Sequence, residues 1–306
     1  MIIEKKQVER DNGVFHWHYF SAAREGLRQV LEFPSMKGRK ILIPAYIGHS
    51  SREGSGVFDP ITQTGKEYLF YRMDSSLNID KADLKEKISK NKGQILLLIH
   101  YFGFKDKNLG IYKQWARENH MVIIEDFAHA FYTFYKDPQI DFDFAIFSLH
   151  KMFPIDDGGL VLSREPLTAT REASEYDLFR YDYPFIMERR RQNYAFLVQA
   201  LAEKKDKGIR IMFPVLGAFV PQSFPVFLPS REVRDGLYFS MNERGYGVVS
   251  LYHELISPID GSFSNEHEIS NRILNLPVHQ DVEQVQLQGM LDVMFSFLNK
   301  ERQERP

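Results

Sequence analysis

The sequence predicts an α/β protein in which a mostly parallel sheet carries helices on both faces, followed by a smaller C-terminal α/β domain. Two observations lead to this prediction. Strand and helix patterns alternate through the first half of the chain, and several strand candidates, such as 95–99, are continuous apolar runs typical of buried parallel strands. This alternation implies right-handed crossovers between parallel strands. We place the domain boundary after residue 183, which gives a large domain of residues 1–183 and a C-terminal domain of residues 184–306.

Local patterns predict the elements of the large domain. The first helix begins near Ser21, a residue that can cap it, and places Leu27 and Leu31 on one face. Asp80 is predicted to cap a later helix, and Gly158-Gly159 to form a tight turn into a strand. In chain order, the prediction comprises a helix from 21, strands 40–43 and 67–73, a helix 80–89, a strand 94–100, a helix 109–119, and strands 121–125, 142–147 and 160–162.

The remaining patterns predict the C-terminal domain. A long polar helix is expected to link the two domains. In chain order, the elements are this linking helix at 184–203, a strand at 224–227, a helix at 231–244, a segment at 247–251, a helix at 266–274 and a closing helix from Val282.

Composition excludes several classes of function. The chain has 39 basic and 41 acidic residues, so it lacks the positive excess that binds nucleic acid or an anionic membrane. It contains no cysteine, which excludes disulfides, thiolate metal sites and cysteine nucleophiles. The start, Met1 to Asp11, has no apolar stretch of signal-peptide length, and the longest aliphatic run, 95–99, is too short to cross a bilayer. We therefore expect a cytoplasmic protein.

Polar side chains follow the predicted strands at the points where those strands end. They are His100, Glu125, Asp126, Ser148 and Lys151. Because the carboxyl ends of parallel strands meet at one edge of a sheet, we expect these residues to converge there. Taken singly, Asp126 can be the N-cap of a helix from Phe127, and Lys151 can be a surface lysine. Taken together, a carboxylate and a lysine suit pyridoxal phosphate, because the lysine forms the Schiff base and the carboxylate keeps the pyridine nitrogen protonated.

Short blocks along nearly the whole chain resemble the DegT/StrS family of sugar aminotransferases, which are pyridoxal-phosphate enzymes of fold type I. The specific blocks are Glu125-Asp126-Phe127-Ala128-His129-Ala130 and Phe147-Ser148-Leu149-His150-Lys151. The supporting blocks are Ser21-Ala22-Ala23-Arg24, Ile41-Leu42-Ile43-Pro44, His100-Tyr101-Phe102-Gly103, Asp157-Gly158-Gly159 and Leu274-Asn275-Leu276-Pro277-Val278. The resemblance implies transfer of an amino group from a donor such as L-glutamate to a keto-sugar attached to a nucleotide, by a homodimer.

The resemblance also implies roles for the residues of the two specific blocks. Lys151 would carry the cofactor as a Schiff base and move the proton between Cα of the amino donor and C4′ of the cofactor. Asp126 would pair with the pyridinium nitrogen. His129 would lie near the ring hydroxyl.

The phosphate group of the cofactor would be bound at a different set of residues. By resemblance, Ser148 would hold it, and Ala23 and Arg24 would present backbone amides at the start of the first helix, where unpaired N–H groups attract anions. Tyr46 and His49 are both candidates for stacking on the pyridine ring.

The chain departs from its relatives at two places. Relatives usually have Gly-Thr or Gly-Arg where this chain has Ala23-Arg24. They also have, between the positions of Gly159 and Arg189, an Asn-x-Arg segment that reaches the phosphate site of the neighbouring subunit. This chain is shorter than its relatives in that segment and has only Phe179-Arg180-Tyr181-Asp182-Tyr183-Pro184 there.

Other catalytic motifs were weighed. Ser148 and Lys151 also have the Ser-x-x-Lys spacing of penicillin-binding hydrolases, but the accompanying Ser-Asp-Asn and Lys-Thr-Gly motifs do not occur. The Gly54-Ser55-Gly56 segment has Asp59 where a dinucleotide fingerprint needs its third glycine, and no phosphate-loop motif is present, so NAD and ATP are not supported.

Two clusters have non-catalytic interpretations. His16 and His18 are a closely spaced pair without a clear third ligand, so aromatic packing around Trp17 is favoured over metal binding. The run Arg189-Arg190-Arg191 is interpreted as a solvated helix face or an interface.

Two alternatives to transamination stay open at this point. The chain could be a scaffold that keeps the fold without turnover, which the shortened segment favours. It could also catalyse sugar dehydration. The lysine at 151 favours transamination.

Overall fold

The computed structural model describes residues 15–167, 177–202 and 208–304. The charged start Met1 to Asp11 and part of the shortened segment before Arg189 lie outside these ranges. The strands are β1 (His16–Phe20), β2 (Ile41–Pro44), β3 (Tyr68–Tyr71), β4 (Ile95–Ile99), β5 (Val122–Asp126), β6 (Phe144–Ser148), β7 (Gly159–Ser163), β8 (Arg210–Ile211), β9 (Ser223–Phe227) and β10 (Ile273–Pro277). The helices are α1 (Ala23–Glu32), α2 (Phe58–Gln63), α3 (Lys81–Lys90), α4 (Leu109–Glu118), α5 (Phe131–Lys136), α6 (Tyr183–Ala202), α7 (Arg231–Asn242), α8 (Ser264–Arg272) and α9 (Gln284–Glu304).

The predicted fold class is confirmed. A seven-stranded sheet has the order β1-β7-β6-β5-β4-β2-β3. Strands β2 to β6 pair in parallel, whereas β7 runs antiparallel to both β6 and β1. The central strands β2, β4 and β6 are almost wholly buried, which explains their continuous apolar sequences. Two apolar clusters pack against this sheet, as a sheet with helices on both faces requires.

The starts of the first and third helices show how caps depend on context. Asp80 caps α3 as predicted, because its side chain accepts hydrogen bonds from the N–H groups of Ala82 and Asp83. Ser21 does not cap α1. Ala22 occupies the N-cap position, and the carbonyl of Ser21 instead accepts a hydrogen bond from Gly158 N–H at 2.8 Å. The chain before α1 is therefore tied to the turn before β7.

Some elements differ from the prediction because partner strands determine them, as β1 and the end of α8 illustrate. Strand β1 was not predicted, and it forms by pairing along the whole of β7. The helix predicted over 266–274 ends at Arg272, because Ile273 and Leu274 pair with Phe227 and Val226 of β9. Local periodicity does not reveal such pairings, since the partner lies elsewhere in the chain.

A second sheet of three strands, in the order β10-β9-β8, lies after α6 in the chain. The helices α7 and α9 contact each other, and α6 contacts α9 and β9. The proposed domain boundary at residues 183 and 184 coincides with the start of α6. The division into two domains stays a prediction.

The arginine run of α6 is not a solvated face, which corrects part of its interpretation. Arg190 is 1% exposed, and its guanidinium donates to Gln280 Oε1 at 3.0 Å and to the carbonyls of Pro221 and Gln222 at 3.4 Å. Arg191 donates to the carbonyl of Phe219 at 2.5 Å. The guanidinium groups therefore satisfy carbonyls of later segments and hold them against α6.

Within residues 15–167, 177–202 and 208–304, no helix is both long enough and apolar enough to cross a membrane.

Candidate active site

A cavity of about 630 Å³ opens beyond the carboxyl ends of β5 and β6. Its volume lies within the range usual for small-molecule sites. The lining includes the start of α1, the segment after β2, the ends of β5 and β6, and a segment after α7. Of the residues predicted to form the site, Ala23, Arg24, Asp126, Ser148 and Lys151 line this cavity. His129 joins them through its contact with Lys151.

Asp126 is the last residue of β5, and its side chain is 7% exposed. The N–H of Ala128 donates to its Oδ1 at 2.7 Å. No helix begins at Phe127, because α5 starts only at Phe131 with Ala130 at its N-cap position. The N-cap interpretation of Asp126 is therefore wrong, and its carboxylate is available to the cavity.

Lys151 and His129 lie in direct contact. The Nζ atom of Lys151 is 3.3 Å from Nε2 of His129. The other ring nitrogen of His129, Nδ1, accepts a hydrogen bond from the N–H of Phe102 at 3.5 Å. A neutral imidazole with an accepting Nδ1 carries its proton on Nε2, so the histidine donates to an uncharged lysine amine. The Phe102 ring stacks on His129 at a centroid distance of 5.9 Å and fixes its plane.

Desolvation shifts the pKa values of Lys151, His129 and Asp126, in each case in the direction that favours the neutral form. Desolvation lowers the pKa of Lys151, although the charges of Asp126 and Glu53 oppose this shift. Desolvation and the nearby Lys151 charge lower the pKa of His129 well below its usual value. Desolvation raises the pKa of Asp126, while the Ala128 N–H and Lys151 counteract the rise. The surface that Lys151 exposes lines the cavity, so its amine is accessible to a bound molecule, and the lowered pKa favours the neutral form of that amine.

The start of α1 lies beside Ser148 because of Gly159. Ser148 and Gly159 are paired residues of β6 and β7, and Ser148 is buried. A Cβ atom on Gly159 would lie 2.4 Å from the carbonyl carbon of Ala22 and 2.5 Å from the nitrogen of Ala23. Only glycine permits this approach, which brings the unpaired N–H groups of α1 to the serine hydroxyl. The arrangement can bind an anion such as phosphate.

Two more side chains lie at this end of the cavity. The Arg24 guanidinium donates to the carbonyl of Glu53 at 2.6 Å. His150 places Nδ1 3.5 Å from Ser148 Oγ, and desolvation together with the Lys151 charge lowers its pKa. Because Ser148 contacts His150 and Lys151 contacts His129, the geometry of a Ser-x-x-Lys hydrolase is not formed.

Two residues predicted to converge on the site lie elsewhere. His100 Nε2 is 2.7 Å from Glu125 Oε2, and Lys113 pairs with the other oxygen of Glu125. Successive residues of a strand point to opposite faces, so Glu125 faces away from Asp126. These three side chains form a buried ionic cluster, and His100 lines a different cavity. The predicted convergence is therefore wrong for His100 and Glu125.

The two candidates for ring stacking occupy different positions. Tyr46 is fully buried, and its hydroxyl donates to the carbonyl of Leu251 at 3.5 Å. His49 is exposed and lines the cavity.

The histidine pair of β1 does not line this cavity. The rings of His16 and His18 are 6.3 Å apart, and His18 accepts a hydrogen bond from Leu167 N–H. Across the described ranges, no group of three histidine or acidic side chains is arranged to bind a metal ion.

Sequence reasoning missed the segment 250–253, which lines the cavity from a distant part of the chain. Its Tyr252 ring lies 5.9 Å from the ring of His129. The spacing of residues gave no signal of this approach, because the segment reaches the site only through tertiary pairing. The Gly48–Leu255 bridge joins it to the residues after β2.

Comparisons with known proteins show similarity in sequence and in fold. Residues 36–176 match the sequence profile of the DegT/DnrJ/EryC1/StrS aminotransferase family. The fold is similar to that of PseC from Helicobacter pylori, an aminotransferase involved in the biosynthesis of pseudoaminic acid, with 16% identity, a TM-score of 0.72, and coverage of 94% of this chain and 88% of PseC.

Two further structures show the same fold. DesV from S. venezuelae, solved in complex with a ketimine intermediate, has 17% identity and a TM-score of 0.70, over 92% of this chain and 85% of that one. NtdA from Bacillus subtilis, solved with the bound cofactor PMP, has 14% identity and a TM-score of 0.70, over 94% of this chain and 74% of that one. No curated protein sequence matches the chain. The match over residues 36–176 shows that this part of the chain is similar in sequence to the DegT/DnrJ/EryC1/StrS aminotransferases, which are enzymes that depend on pyridoxal phosphate.

Proposed function

We propose that the protein transfers the amino group of L-glutamate to a keto-sugar carried by a nucleotide, in the cytoplasm, for the synthesis of polysaccharide or antibiotic sugars. The observation that carries this proposal is the placement of the Lys151 amine, the Asp126 carboxylate and His129 around one cavity. The family match supports amino transfer. The sugar acceptor is supported by the resemblance of the Asp126 and Lys151 blocks to sugar aminotransferases.

The residues present fit pyridoxal phosphate. A buried carboxylate beside a lysine of lowered pKa is the donor set that the pyridine nitrogen and the aldehyde of this cofactor require. We assign Asp126 to the ring nitrogen, Lys151 to the Schiff base and His129 to the ring hydroxyl. Ser148 and the first N–H groups of α1, at Ala23 and Arg24, are assigned to the phosphate.

Each side chain then has a defined task. The bound cofactor supplies an electron sink that makes the Cα–H bond of the amino donor acidic. Lys151 Nζ, in its neutral form, would accept that proton and return it at C4′ of the bound cofactor. Asp126 holds a proton on the ring nitrogen, because a carboxylate favours the positive form of its neighbour. His129 keeps its proton on Nε2, which faces Lys151.

The first experiment is the absorption spectrum of the purified protein with pyridoxal phosphate, followed by titration with L-glutamate. We expect a visible band from lysine-bound cofactor that glutamate bleaches. The variant Lys151→Ala should show no such band, and retention of full activity by this variant would disprove the assignment. A band that glutamate leaves unchanged would indicate another donor or sugar dehydration. The absence of a band in the unsubstituted protein would favour the scaffold alternative.

We also propose that the active form is a homodimer, as in other enzymes of this fold. Sedimentation velocity over a range of concentrations, with and without pyridoxal phosphate, tests this. A protein that stays monomeric at the concentration of the activity assay, and is active there, would show that one chain completes the site.

A further inference from the structure

Tyr252 comes from the C-terminal part of the chain and lies among the site residues of the large sheet. Its ring centroid is 5.9 Å from that of His129, with an angle of 32° between the planes. The rings of Tyr46 at 5.4 Å and Tyr101 at 5.8 Å pack against it in T-shaped geometry. The residue lines the same cavity as Asp126 and Lys151. The ring is therefore held by contacts with three other rings at a residue that also lines the cavity.

The segment that carries Tyr252 is fixed to the segment after β2 by backbone hydrogen bonds. The N–H of His49 donates to the carbonyl of Glu254 at 2.9 Å, and the N–H of Ile256 donates to the carbonyl of Ile47 at 3.0 Å. These bonds and the Gly48–Leu255 bridge hold the segment beside the residues after β2, and both segments line the cavity.

The backbone at Tyr252 is itself unusual. Its φ is +61°, a value that residues other than glycine rarely adopt. Its carbonyl accepts a hydrogen bond from Ser270 Oγ at 2.7 Å, which stabilises this conformation from α8. A left-handed conformation at an aromatic residue has a free-energy cost, so the surrounding contacts have to hold the side chain in this position.

Gly48 makes room for the ring. A Cβ atom at position 48 would lie 2.0 Å from Cδ1 of Tyr252, so no other residue fits there while Tyr252 keeps its place. The segment after β2 therefore leaves a gap, and a side chain from the C-terminal part fills it. The two residues of that segment that were candidates for stacking on the pyridine ring do not fill this gap, since Tyr46 is buried and His49 is exposed.

We propose that Tyr252 packs against the pyridine ring of the bound cofactor and holds it against Asp126, so that the C-terminal part of the chain is required for cofactor retention. This inference rests on the proposed function. Aromatic faces bind flat heteroaromatic rings by stacking, with a preference for offset geometry. Removal from water, together with the Asp126 charge, raises the pKa of Tyr252, so the hydroxyl stays protonated and adds no negative charge to the site.

The test measures equilibrium binding of pyridoxamine phosphate, which forms no Schiff base and therefore reports ring and phosphate contacts alone. Calorimetric titration is carried out on the full chain and on Tyr252→Phe, Tyr252→Ala and Glu254→Ala. We expect Tyr252→Ala to weaken binding about tenfold, which is the order of one aromatic contact. Tyr252→Phe should stay within about twofold, because it keeps the ring. Glu254→Ala is the matched control, since it changes an exposed side chain of the same segment.

A double-mutant cycle with Gly48 isolates the contact from effects on folding. Gly48→Ala should weaken binding when Tyr252 is present, because the new methyl group displaces the ring. The same substitution should have little effect in the Tyr252→Ala background. Equal losses in both backgrounds would overturn the inference.

The remaining outcomes separate this inference from the proposed function. If the unsubstituted protein binds pyridoxamine phosphate and Tyr252→Ala binds it equally well, the stacking role is wrong and the proposed function stands. If Tyr252→Ala binds more tightly, the ring occupies the cofactor position, and the inference is overturned. If neither protein binds this compound or pyridoxal phosphate, the proposed function fails and the inference fails with it.

Discussion

Lys151 and His129 influence each other because His129 is buried and its Nε2 lies 3.3 Å from the Nζ atom of Lys151. A protonated lysine makes protonation of the histidine less favourable, and the charge of Lys151 contributes to the lowered pKa of His129. The backbone N–H of Phe102 then selects the tautomer, since it donates to Nδ1. This contact favours the neutral form of the Lys151 amine, which is the form that attacks an aldehyde to make a Schiff base.

The pH dependence of cofactor capture follows from these shifts. The reactive form of Lys151 is the neutral amine, and desolvation lowers its pKa. The rate of appearance of the visible band should therefore rise with pH and level off below the pKa of a free lysine. The Asp126 carboxylate raises the Lys151 pKa, so Asp126→Asn should move the midpoint to lower pH. Stopped-flow absorbance measures both profiles, and a midpoint that rises in the variant would contradict this account.

Asp126→Asn should also separate cofactor binding from turnover. An amide at this position accepts a hydrogen bond but carries no charge, so it cannot hold the proton on the ring nitrogen. We expect the visible band to remain and the turnover number to fall by about 100-fold or more, as for the loss of a preorganised electrostatic contact. Steady-state assays alongside spectra provide the comparison. Glu53→Gln is the control, since it removes a nearby charge without touching the assigned ring contact.

The approach of α1 to β7 depends on one glycine. Gly159→Ala would place a methyl group against the backbone of Ala22 and Ala23, which has no flexible end that could move aside. We expect a loss of about 1–3 kcal/mol in the free energy of unfolding, the range for overpacking, together with weaker binding of phosphate and of pyridoxal phosphate. Urea denaturation and equilibrium titration measure the two effects.

Gly110→Ala is the matched control for this substitution. Gly110 lies in α4, and nothing lies within 4 Å of a Cβ atom built there. The extra methyl group should leave stability unchanged or raise it slightly, because alanine favours helix. Equal destabilisation by both substitutions would show that close packing at Gly159 is not the cause.

The C-terminal part of the chain is held to α6 through Arg190. Its planar guanidinium satisfies Gln280 and two carbonyls at once, and it lies 5.3 Å from the centre of the Tyr132 ring. Arg190→Lys keeps the charge but cannot reproduce this fork of donors. We expect a loss of about 1–3 kcal/mol in the free energy of unfolding, because buried acceptors lose their donor.

Arg189→Lys is the control for Arg190. It lies at the adjacent position of α6 and makes one bond of 3.4 Å to the carbonyl of Val282. Its replacement should cost well under half of the Arg190 effect in the same urea denaturation series. A similar loss for both variants would show that the fork of hydrogen bonds made by Arg190 is not what stabilises this contact.

The alternation of strands and helices, and the set of polar residues that meet at the ends of neighbouring strands, could largely be predicted from the amino-acid sequence. Continuous apolar runs indicated the buried parallel strands, and the polar residues at their ends indicated where a ligand binds, because side chains at the carboxyl ends of neighbouring strands meet. Asp126, Ser148 and Lys151 line the cavity for this reason. Asp80 was identifiable as a cap because its partners are its immediate neighbours.

Tertiary contacts decided what depends on residues far apart in the chain. The face to which Glu125 points, the strand β1 and the early end of α8 are set by packing and pairing, which no local pattern reports. Arg190 is buried because distant carbonyls lie around it. The position of Tyr252 depends on the absence of a side chain at Gly48 and on hydrogen bonds between two distant segments. Local sequence limits the conformations of each element, whereas contacts between elements select which side chains share a site.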